Sequence, residues 1–434
     1  MKTMEGWIYK PLGEIASLVK GISYSSSDYC GPDEGAIFLT IKCVSKAGGF
    51  KKEGIKYYRG PIREQEILEI GDLLIANTDL TRDGDIVGCP VHVPDLGTEL
   101  VTMSMDLSKL MIDPEKVDGK FLYFKLMTEP VRRYMQDHAS GSTVLHLQTK
   151  AVPKLNLLVP ADKEEQTQIA AILSTLDKAI EQTEAIIAKQ QQIKTGLMQD
   201  LLVKGIDEHG RIRSEDTHEF KDSTLGRIPV EWEVTNLGNI ISKHGGKIQT
   251  GPFGSQLHAY EYVNEGIPVV MPQDISSPGI STIKIARITE GRAKQLLRHN
   301  MLPGDLIFAR RGDLSRCAWI TEQQKGWICG TGCLLMRPPS KILSPKWTAE
   351  IYRFHTTQLQ VDVQAVGSTM PNLNTGILSA LLIALPTYEE QVRIEEHLQA
   401  AEEYQNKMAD QFTKLSLQKA GLMHDLFTGT VRVN

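Results

Sequence analysis

The sequence predicts an α+β protein: two mixed α/β domains separated by two long α-helices that form an antiparallel coiled coil, built as a pseudo-two-fold repeat. Three observations carry this reading. The chain repeats itself at an offset of about 225 residues. Each repeat closes with a proline-free segment whose apolar residues are spaced by four and three. The remainder alternates short Val, Ile and Leu runs with Gly, Pro and Asp.

The repetition keeps its order. Trp7, Leu12, Gly13 and Ile15 return as Trp232, Leu237, Gly238 and Ile240. The run from Gly71 to Ala76 returns from Gly304 to Ala309, and Gly141, Ser142 and Thr143 return as Gly367, Ser368 and Thr369. Glu164, Glu165 and Gln166 return as Glu389, Glu390 and Gln391, and the run from Gly196 to Leu201 returns from Gly421 to Leu426. The offset drifts inside the repeat and recovers at its ends, so insertions and deletions fall within units of fixed edges. The expected division is a first domain over 1–160, a helix over 161–205, a charged linker over 206–228, a second domain over 229–386, a second helix over 387–428 and a tail over 429–434.

Within the domains, Ala36 to Ile41, Asp72 to Ala76, Leu155 to Val159 and Asp305 to Ala309 read as strands, and Phe121 to His138 and Pro345 to Val363 read as helices. A twisted sheet is the expected frame of each domain. Asp207 to Thr224 is charged and aperiodic, as a linker is.

The long helices have a seam. In the first it runs through Ile169, Leu173, Leu176, Ile180, Thr183, Ile187, Gln190, Lys194, Leu197 and Leu201. In the second it runs through Ile394, Leu398, Ala401, Gln405, Met408, Phe412, Leu415, Lys419, Leu422 and Leu426. A mean spacing of about 3.5 residues is that of a coiled coil, and each helix would be roughly 60 Å long. The plainer alternative is two unrelated amphipathic helices, each packed on its own domain. A short linker favours antiparallel helices, because a parallel pair would make it cross roughly 60 Å at about 3.3 Å per residue. The repeat then pairs residues whose numbers sum to about 595: Ile169 near Leu426, Leu173 near Leu422, Ile180 near Leu415, Thr183 near Phe412, Ile187 near Met408 and Gln190 near Gln405. Lys194 and Lys419 fall opposite Ala401 and Leu176 and are expected to turn outward.

Composition narrows the function. Among 434 residues, 41% are hydrophobic and 23% charged, with a net charge of -5, so no uniformly basic coat exists and any nucleic-acid contact must use local patches. No apolar run approaches a membrane span, Met1 to Lys20 carries no leader pattern, and the six scattered cysteines suit a reducing cytoplasm. Phosphate-loop, amino-methyltransferase and His-Glu-x-x-His motifs are absent; Gly245, Gly246 and Lys247 lack the spaced first glycine. Cys317, Cys329 and Cys333 are too loosely spaced for zinc and read as buried thiols. Glu164–Glu165 and Glu389–Glu390 open helices, where carboxylates meet the positive end of the dipole. The chain is therefore expected to hold no catalytic residue, cofactor or metal.

Basic residues cluster within the domains. Lys42, Lys46, Lys51, Lys52, Lys56, Arg59 and Arg63 have only Glu53 among them, with Phe50, Tyr57 and Tyr58 interleaved. In the second domain Lys284, Arg287, Arg292, Lys294, Arg298, Arg310, Arg311 and Arg316 outnumber Glu290, Asp305 and Asp313. Such clusters neutralise phosphates and reach guanine edges, though a solvated charged face fits the pattern equally well. The Gly-Ser-Thr loops lead into His146 and Gln148 in one repeat and Asn372 and Asn374 in the other; ordinary turn chemistry also accounts for them. The run from Gly35 to Val44 aligns with that from Gly266 to Ile275, placing Lys42 opposite Gln273. Lys247, Gln249 and Gln256 complete the candidate DNA contacts.

This succession resembles the specificity subunit of a type I restriction–modification system. It consists of a domain, Glu-Glu-Gln into a long helix, Gly196-Leu-Met-Gln-Asp-Leu201, a linker, Ile228-Pro-Val-Glu-Trp-Glu-Val234, a second domain and a second helix. Gly251-Pro-Phe-Gly-Ser-Gln-Leu257, Gly266-Ile-Pro-Val-Val270, Gly367-Ser-Thr-Met-Pro-Asn-Leu-Asn374 and Leu426-Phe-Thr-Gly-Thr-Val-Arg432 extend the likeness over the whole chain. The first domain departs from it: Gly141-Ser-Thr143 is followed by Val144-Leu-His-Leu147 rather than Met-Pro-Asn-Leu. The resemblance implies a non-catalytic DNA-binding subunit with two target recognition domains, each reading half of a bipartite site. It also implies two methyltransferase subunits and two motor-nuclease subunits as partners, which would carry S-adenosylmethionine, ATP and Mg. Two other classes remain open: a coiled-coil adaptor with no DNA role, which would not need the basic loops, and a cryptic nuclease or fused restriction fragment, which would need a carboxylate cluster.

Overall fold

The computed structural model describes residues 6–81, 83–98, 100–276, 279–365 and 371–433. The chain forms two compact units: Met1–Ile186 with Ala409–Asn434, and Ile187–Met408. Each unit contains one globular domain and part of both long helices. None of the described helices is long and apolar enough to cross a membrane.

The duplication is structural: three sheets of the first unit recur in the second. In the first unit a four-stranded antiparallel sheet has the order Ala16–Lys20, Leu107–Ile112, Leu73–Ala76, Pro90–His92. A second sheet places Ala36–Leu39 between antiparallel Lys56–Tyr58 and parallel Val101–Met103. A third pairs Trp7–Pro11 with Asn156–Pro160. The second unit repeats the first sheet as Lys247–Thr250, Cys333–Arg337, Leu306–Ala309, Cys317–Trp319. It repeats the second with Ile267–Val270 between Ala286–Ile288 and Ile328–Cys329, adding Tyr262–Val263 at the edge, and the third as Glu233–Asn236 with Leu382–Leu385.

The repeated Gly-Asp before each central strand has a physical reason. Gly71 and Gly304 turn with φ of 91° and 88°, which side-chain-bearing residues avoid. Asp72 then pairs with Lys109 at 2.6 Å, and Asp305 holds the Arg337 guanidinium through two bonds of 2.7 Å. The strands that follow, Leu73–Ala76 and Leu306–Ala309, are buried along their whole length, as the unbroken apolar runs require.

Each of the expected domain helices is divided in two. Gly119–Leu126 and Glu129–Asp137 are separate because Pro130 cannot supply an interior helical N–H. Pro345–Arg353 and His355–Ala365 part at Phe354, whose extended backbone (φ −66°, ψ 142°) buries its ring. The segment read as a linker is locally ordered: Asp207 accepts bonds from the backbone of His209 and Arg211, and Phe220–Ser223 pairs with Gly226–Pro229. Periodicity cannot reveal such short turns.

The long helices span Lys163–Val203 and Tyr388–Thr428. They pack antiparallel, with Asp177 against Lys419 (2.5 Å) in the first unit and Lys194 against Glu402 (3.4 Å) in the second. The expected meeting of Gln190 with Gln405 shifts by one residue: Gln405 Nε2 donates to Gln191 Oε1 at 2.9 Å. Helical side chains lean toward their own N-terminus, so two antiparallel residues that touch both lie slightly C-terminal of the contact. The two lysines are likewise not outward-turned but paired across the seam. Ile169, Leu173, Leu201, Ile394, Leu398 and Leu426 are buried in the domain cores. Leu176, Ile180, Ile187, Leu197, Met408, Phe412, Leu415 and Leu422 are half-buried, as a two-helix seam leaves them.

The paired glutamates do more than meet a helix dipole. Glu164 and Glu389 are exposed, whereas Glu165 and Glu390 are buried. Glu165 accepts from the Trp7 indole (3.2 Å) and from Arg432 (3.0 Å). Glu390 accepts from the Trp232 indole (3.2 Å), the Ile206 amide (3.0 Å) and Arg213 (3.2 Å). The neighbouring glutamines accept from the residues that open the first domain helix of each unit's pair, Asp118 N–H to Gln166 (2.9 Å) and Ser344 N–H to Gln391 (2.8 Å).

That last equivalence aligns Lys125 with Ile351. Lys125 is 8% exposed, and its ammonium lies 5.8 Å from the Trp7 ring centroid and 5.1 Å from that of Phe427. Burial pushes the amine down from 10.5 to about 8.

Two predictions follow from these buried charges. Arg213→Ala strands the Glu390 carboxylate and should cost about 3–5 kcal/mol in denaturant unfolding, with part of the loss recovered in the Arg213→Ala/Glu390→Gln double variant. Lys125→Met removes a desolvated cation. Between about pH 8 and 10.5 the unfolded chain holds the Lys125 proton more tightly than the folded one, so native stability rises with pH through that window. The Met variant should therefore be more stable than the native chain below pH 8, with the gain shrinking toward pH 10.5 in paired thermal melts.

Candidate nucleic-acid interface

The strand ends of each domain carry a rim of turns. In the first unit, Thr40 fixes one of them: its hydroxyl donates to Gly54 O (2.8 Å) and accepts from Lys42 N (3.3 Å). A Cβ on Gly54 would lie 2.2 Å from Cys43 N, so the turns at Ile41–Cys43 and Lys52–Gly54 touch backbone to backbone. Exposed Lys42, Lys46, Lys51 and Lys52 thus share one lobe. Lys46 approaches Asp85 (3.6 Å), which joins this lobe to the loop over 77–89. Lys56 and Arg59 lie farther along, on the outer edge strand and just after it, and Arg59 donates to Ser27 O (3.2 Å).

Asp79, which the sequence did not single out, organises that loop. Its buried carboxylate accepts from Thr81 N, Ile86 N and Val87 N at 2.6, 2.5 and 3.0 Å. Burial raises its pKa, but these bonds and the Thr81 hydroxyl outweigh it and hold the carboxyl below the usual range. Arg132 donates to the carbonyls of Val87 (2.7 Å) and Asp85 (3.0 Å) from below. The hairpin of Ala139–Ser140 and Leu145–Leu147 adds to the same rim, with His146 opposite Thr78. Ser142 and Thr143 form its exposed tip, and His146 and Gln148 are exposed beside it.

In the second unit the rim is closed by glycine contacts. A Cβ on Gly251 would lie 2.0 Å from Gly330 O, and one on Gly330 would lie 2.5 Å from Val270 O. The turn Pro272–Asp274 follows strand Ile267–Val270 as the Ile41–Cys43 turn follows Ala36–Leu39, and Gln273 and Lys42 occupy the same exposed middle position. Asp274 is buried and accepts from Met271 N (2.8 Å), which fixes the turn. Arg316 reaches Pro272 O (3.4 Å) and Asp313 (3.4 Å), while Arg311 is exposed.

Other candidates have structural duties. Arg310 Nε donates to Leu373 O (3.0 Å), and Leu373 N returns a bond to Arg310 O (3.0 Å). With its amide turned toward acceptors, Asn372 donates to the carbonyls of Arg310 and Leu373. Asn374 caps helix Thr375–Ala380 through Ile377 N (2.9 Å), and Gln256 accepts from Phe253 N (3.0 Å). Ser368 and Thr369 lie outside the described residues. Two placements differ from expectation. Gln249 is buried and donates to Arg298 O (2.6 Å), because its strand turns that position inward. Lys247 is exposed but begins the strand whose other end leads to Gly251, away from the rim. On geometry, Lys42, Lys46, Lys51, Lys52 and the 142–148 hairpin come together in one unit, and Gln273, Arg311 and Arg316 in the other.

The chain is similar to known proteins in both sequence and fold. The family described as type I restriction modification DNA specificity domain matches residues 101–192 and 229–411. The type I restriction enzyme MjaVIII specificity subunit of Methanocaldococcus jannaschii is 23% identical over 340 residues, covering 76% of this chain and 74% of that protein. The EcoBI specificity subunit of Escherichia coli is 22% identical over 402 residues, covering 90% and 78%. In fold, the chain is similar to the crystal structure of a type I restriction–modification S subunit from M. genitalium, with a TM-score of 0.57 at 15% identity over 98% of each chain.

Base-reading and phosphate-neutralising contacts are both expected of such a rim, and substitution should distinguish them. Gln273→Ala is expected to weaken binding of the target duplex by about 1–3 kcal/mol and to relax discrimination at particular bases. Lys51→Ala and Lys52→Ala should weaken binding evenly across sequences and flatten its salt dependence. Competition titrations at several salt concentrations would read both effects.

Proposed function

The chain belongs to the type I restriction–modification DNA specificity family, and from that membership we propose how its two domains divide the work. Each reads one half of a bipartite duplex site from its rim of turns, with Lys42 and Gln273 in equivalent reading positions. The observation that carries this is the duplicated frame: three sheets of one unit recur in the other in the same strand order, while the exposed residues on equivalent turns differ. A rigid frame with interchangeable tips suits a protein that must present different side chains to different base edges.

The chain itself is non-catalytic in this reading. Two methyltransferase subunits bring S-adenosylmethionine and two motor-nuclease subunits bring ATP and Mg, assembling with this chain in the cytoplasm. Phosphates are neutralised locally by the lysine lobe, which an overall acidic chain permits.

Two experiments test the division. The purified chain should neither bind S-adenosylmethionine by calorimetry nor methylate DNA until a methyltransferase partner is added; micromolar binding to the chain alone would contradict it. Inserting four residues into the first long helix near Gln190 should lengthen the unread spacer or abolish recognition while leaving each half-site unchanged. Methylome sequencing of cells carrying the variant would show which bases are still read, and an altered half-site would oppose the proposal.

A further inference from the structure

The two short ladders at the domain edges are equivalent in register and differ in how their outer edge is finished. Bonded and non-bonded pairs alternate along an antiparallel ladder. In the second unit Leu237 N donates to Leu381 O (3.0 Å), so the next pair, Asn236 with Leu382, is non-bonded and the Leu382 backbone faces away from its partner strand. A side chain closes that edge. Leu382 N donates to Gln360 Oε1 (2.8 Å) and Gln360 Nε2 donates to Leu382 O (3.0 Å), so one amide stands where a further strand would lie.

In the first unit Leu12 N donates to Leu155 O (2.8 Å), and the next pair is Pro11 with Asn156. Pro11 has no N–H to give, and Asn156 and Leu158 turn their backbone groups outward. Among the described residues, strand Asn156–Pro160 has no second neighbouring strand and no side chain plays the part of Gln360. A cavity of about 900 Å³ lies along this edge, lined by Asn156, Leu157 and Leu158 and, from the helices, by Lys125, Met423 and Phe427.

The cavity has a charge preference. Lys125 is buried in its wall between two aromatic rings, and no described carboxylate pairs with it. Lys154 and His424 also line it, and its one carboxylate among the described residues, Glu129, is paired with Arg133. The equivalent of Lys125 is Ile351, so the shared core does not require a cation at this position.

We propose that this edge is a strand-addition site for an extended segment of a partner protein, which pairs with the backbone of Asn156 and Leu158, offers a carboxylate to Lys125 and buries apolar side chains in the groove. The proposal is independent of which DNA bases the rims read.

A phage-displayed random dodecapeptide library, selected on the full-length chain and counter-selected on the Asn156→Pro variant, tests it. Proline removes the outward N–H but no bond of the existing ladder, and Asn156→Ala, which keeps that N–H, is the control. Enriched peptides should alternate β-branched residues around an Asp or Glu. Synthesised and measured by fluorescence anisotropy, they should bind the chain and its Asn156→Ala variant alike, lose at least tenfold in affinity for Asn156→Pro, and lose their preference for Glu over Gln on Lys125→Met. Gln360→Ala should open a second binding equivalent without acidic preference. Thermal melts establish that each variant is folded. The proposal fails if no peptide is enriched, if Asn156→Pro binds as tightly, or if basic peptides are preferred. It also fails if the wild-type chain self-associates through this edge in sedimentation, which would make a second copy the occupant.

Discussion

The structure depends on two buried carboxylates. Glu165 and Glu390 are both buried, and each survives burial because an indole N–H and a guanidinium meet it. In each unit this cluster joins three parts of the chain: the tryptophan that opens or immediately precedes the edge strand of the domain, the start of one long helix and the residues that follow the end of the other. Arg432 follows the second long helix and Arg213 follows the first. A helix that begins and ends in such clusters cannot slide without stranding a charge. The offset of the repeat is therefore fixed at its edges and free to drift between them.

The same division separates frame from tip. The order of three sheets, the Gly-Asp turns and the glutamines that meet a domain helix are alike in both halves, while the exposed positions are not. Lys42 and Gln273 sit on turns of the same geometry with opposite demands on a ligand, one a point charge and the other a neutral donor and acceptor. Much of the polar chemistry around these tips is spent on rigidity: Asp79, Asp274 and Arg310 hold loops, and Asn374 caps a helix. A base-reading side chain needs that support, because a mobile turn would lose in entropy what a bidentate contact gains.

What the sequence revealed follows from this economy. Seam, strands and domain order were legible because apolar periodicity is a local property, and the seam from Ile169 to Leu201 is buried or half-buried along its length as the spacing required. The fate of individual polar groups was not legible. Gln249 is as polar as Gln273, yet one is enclosed and the other exposed, and only the pairing of Lys247–Thr250 with Cys333–Arg337 decides which. Lys194 and Lys419 were placed at the right positions, but their acidic partners lie about one residue beyond the expected register, a consequence of side-chain lean rather than backbone phase. Phe354 breaks a helix without proline or glycine, and its buried ring explains the break only after folding.

Duplication also supplies an internal control that a single domain lacks. A polar residue in one half whose counterpart is apolar must be explained by something that the halves do not share. Some such departures are compensated nearby. Register across the central strands aligns Lys109 with Leu335, and the duty of neutralising the turn aspartate passes to Arg337, two residues farther along the neighbouring strand. The departure is then a change of route, and the ion pair is preserved. Lys125 against Ile351 has no such compensation among the described residues: the second core buries an alkyl group where the first buries a cation, and only ring faces meet that cation. Among the described residues, the edge that Gln360 closes in one half is left open in the other beside this same lysine. Two uncompensated differences in one groove are harder to assign to drift than either alone, because each carries its own cost in desolvation or unpaired backbone.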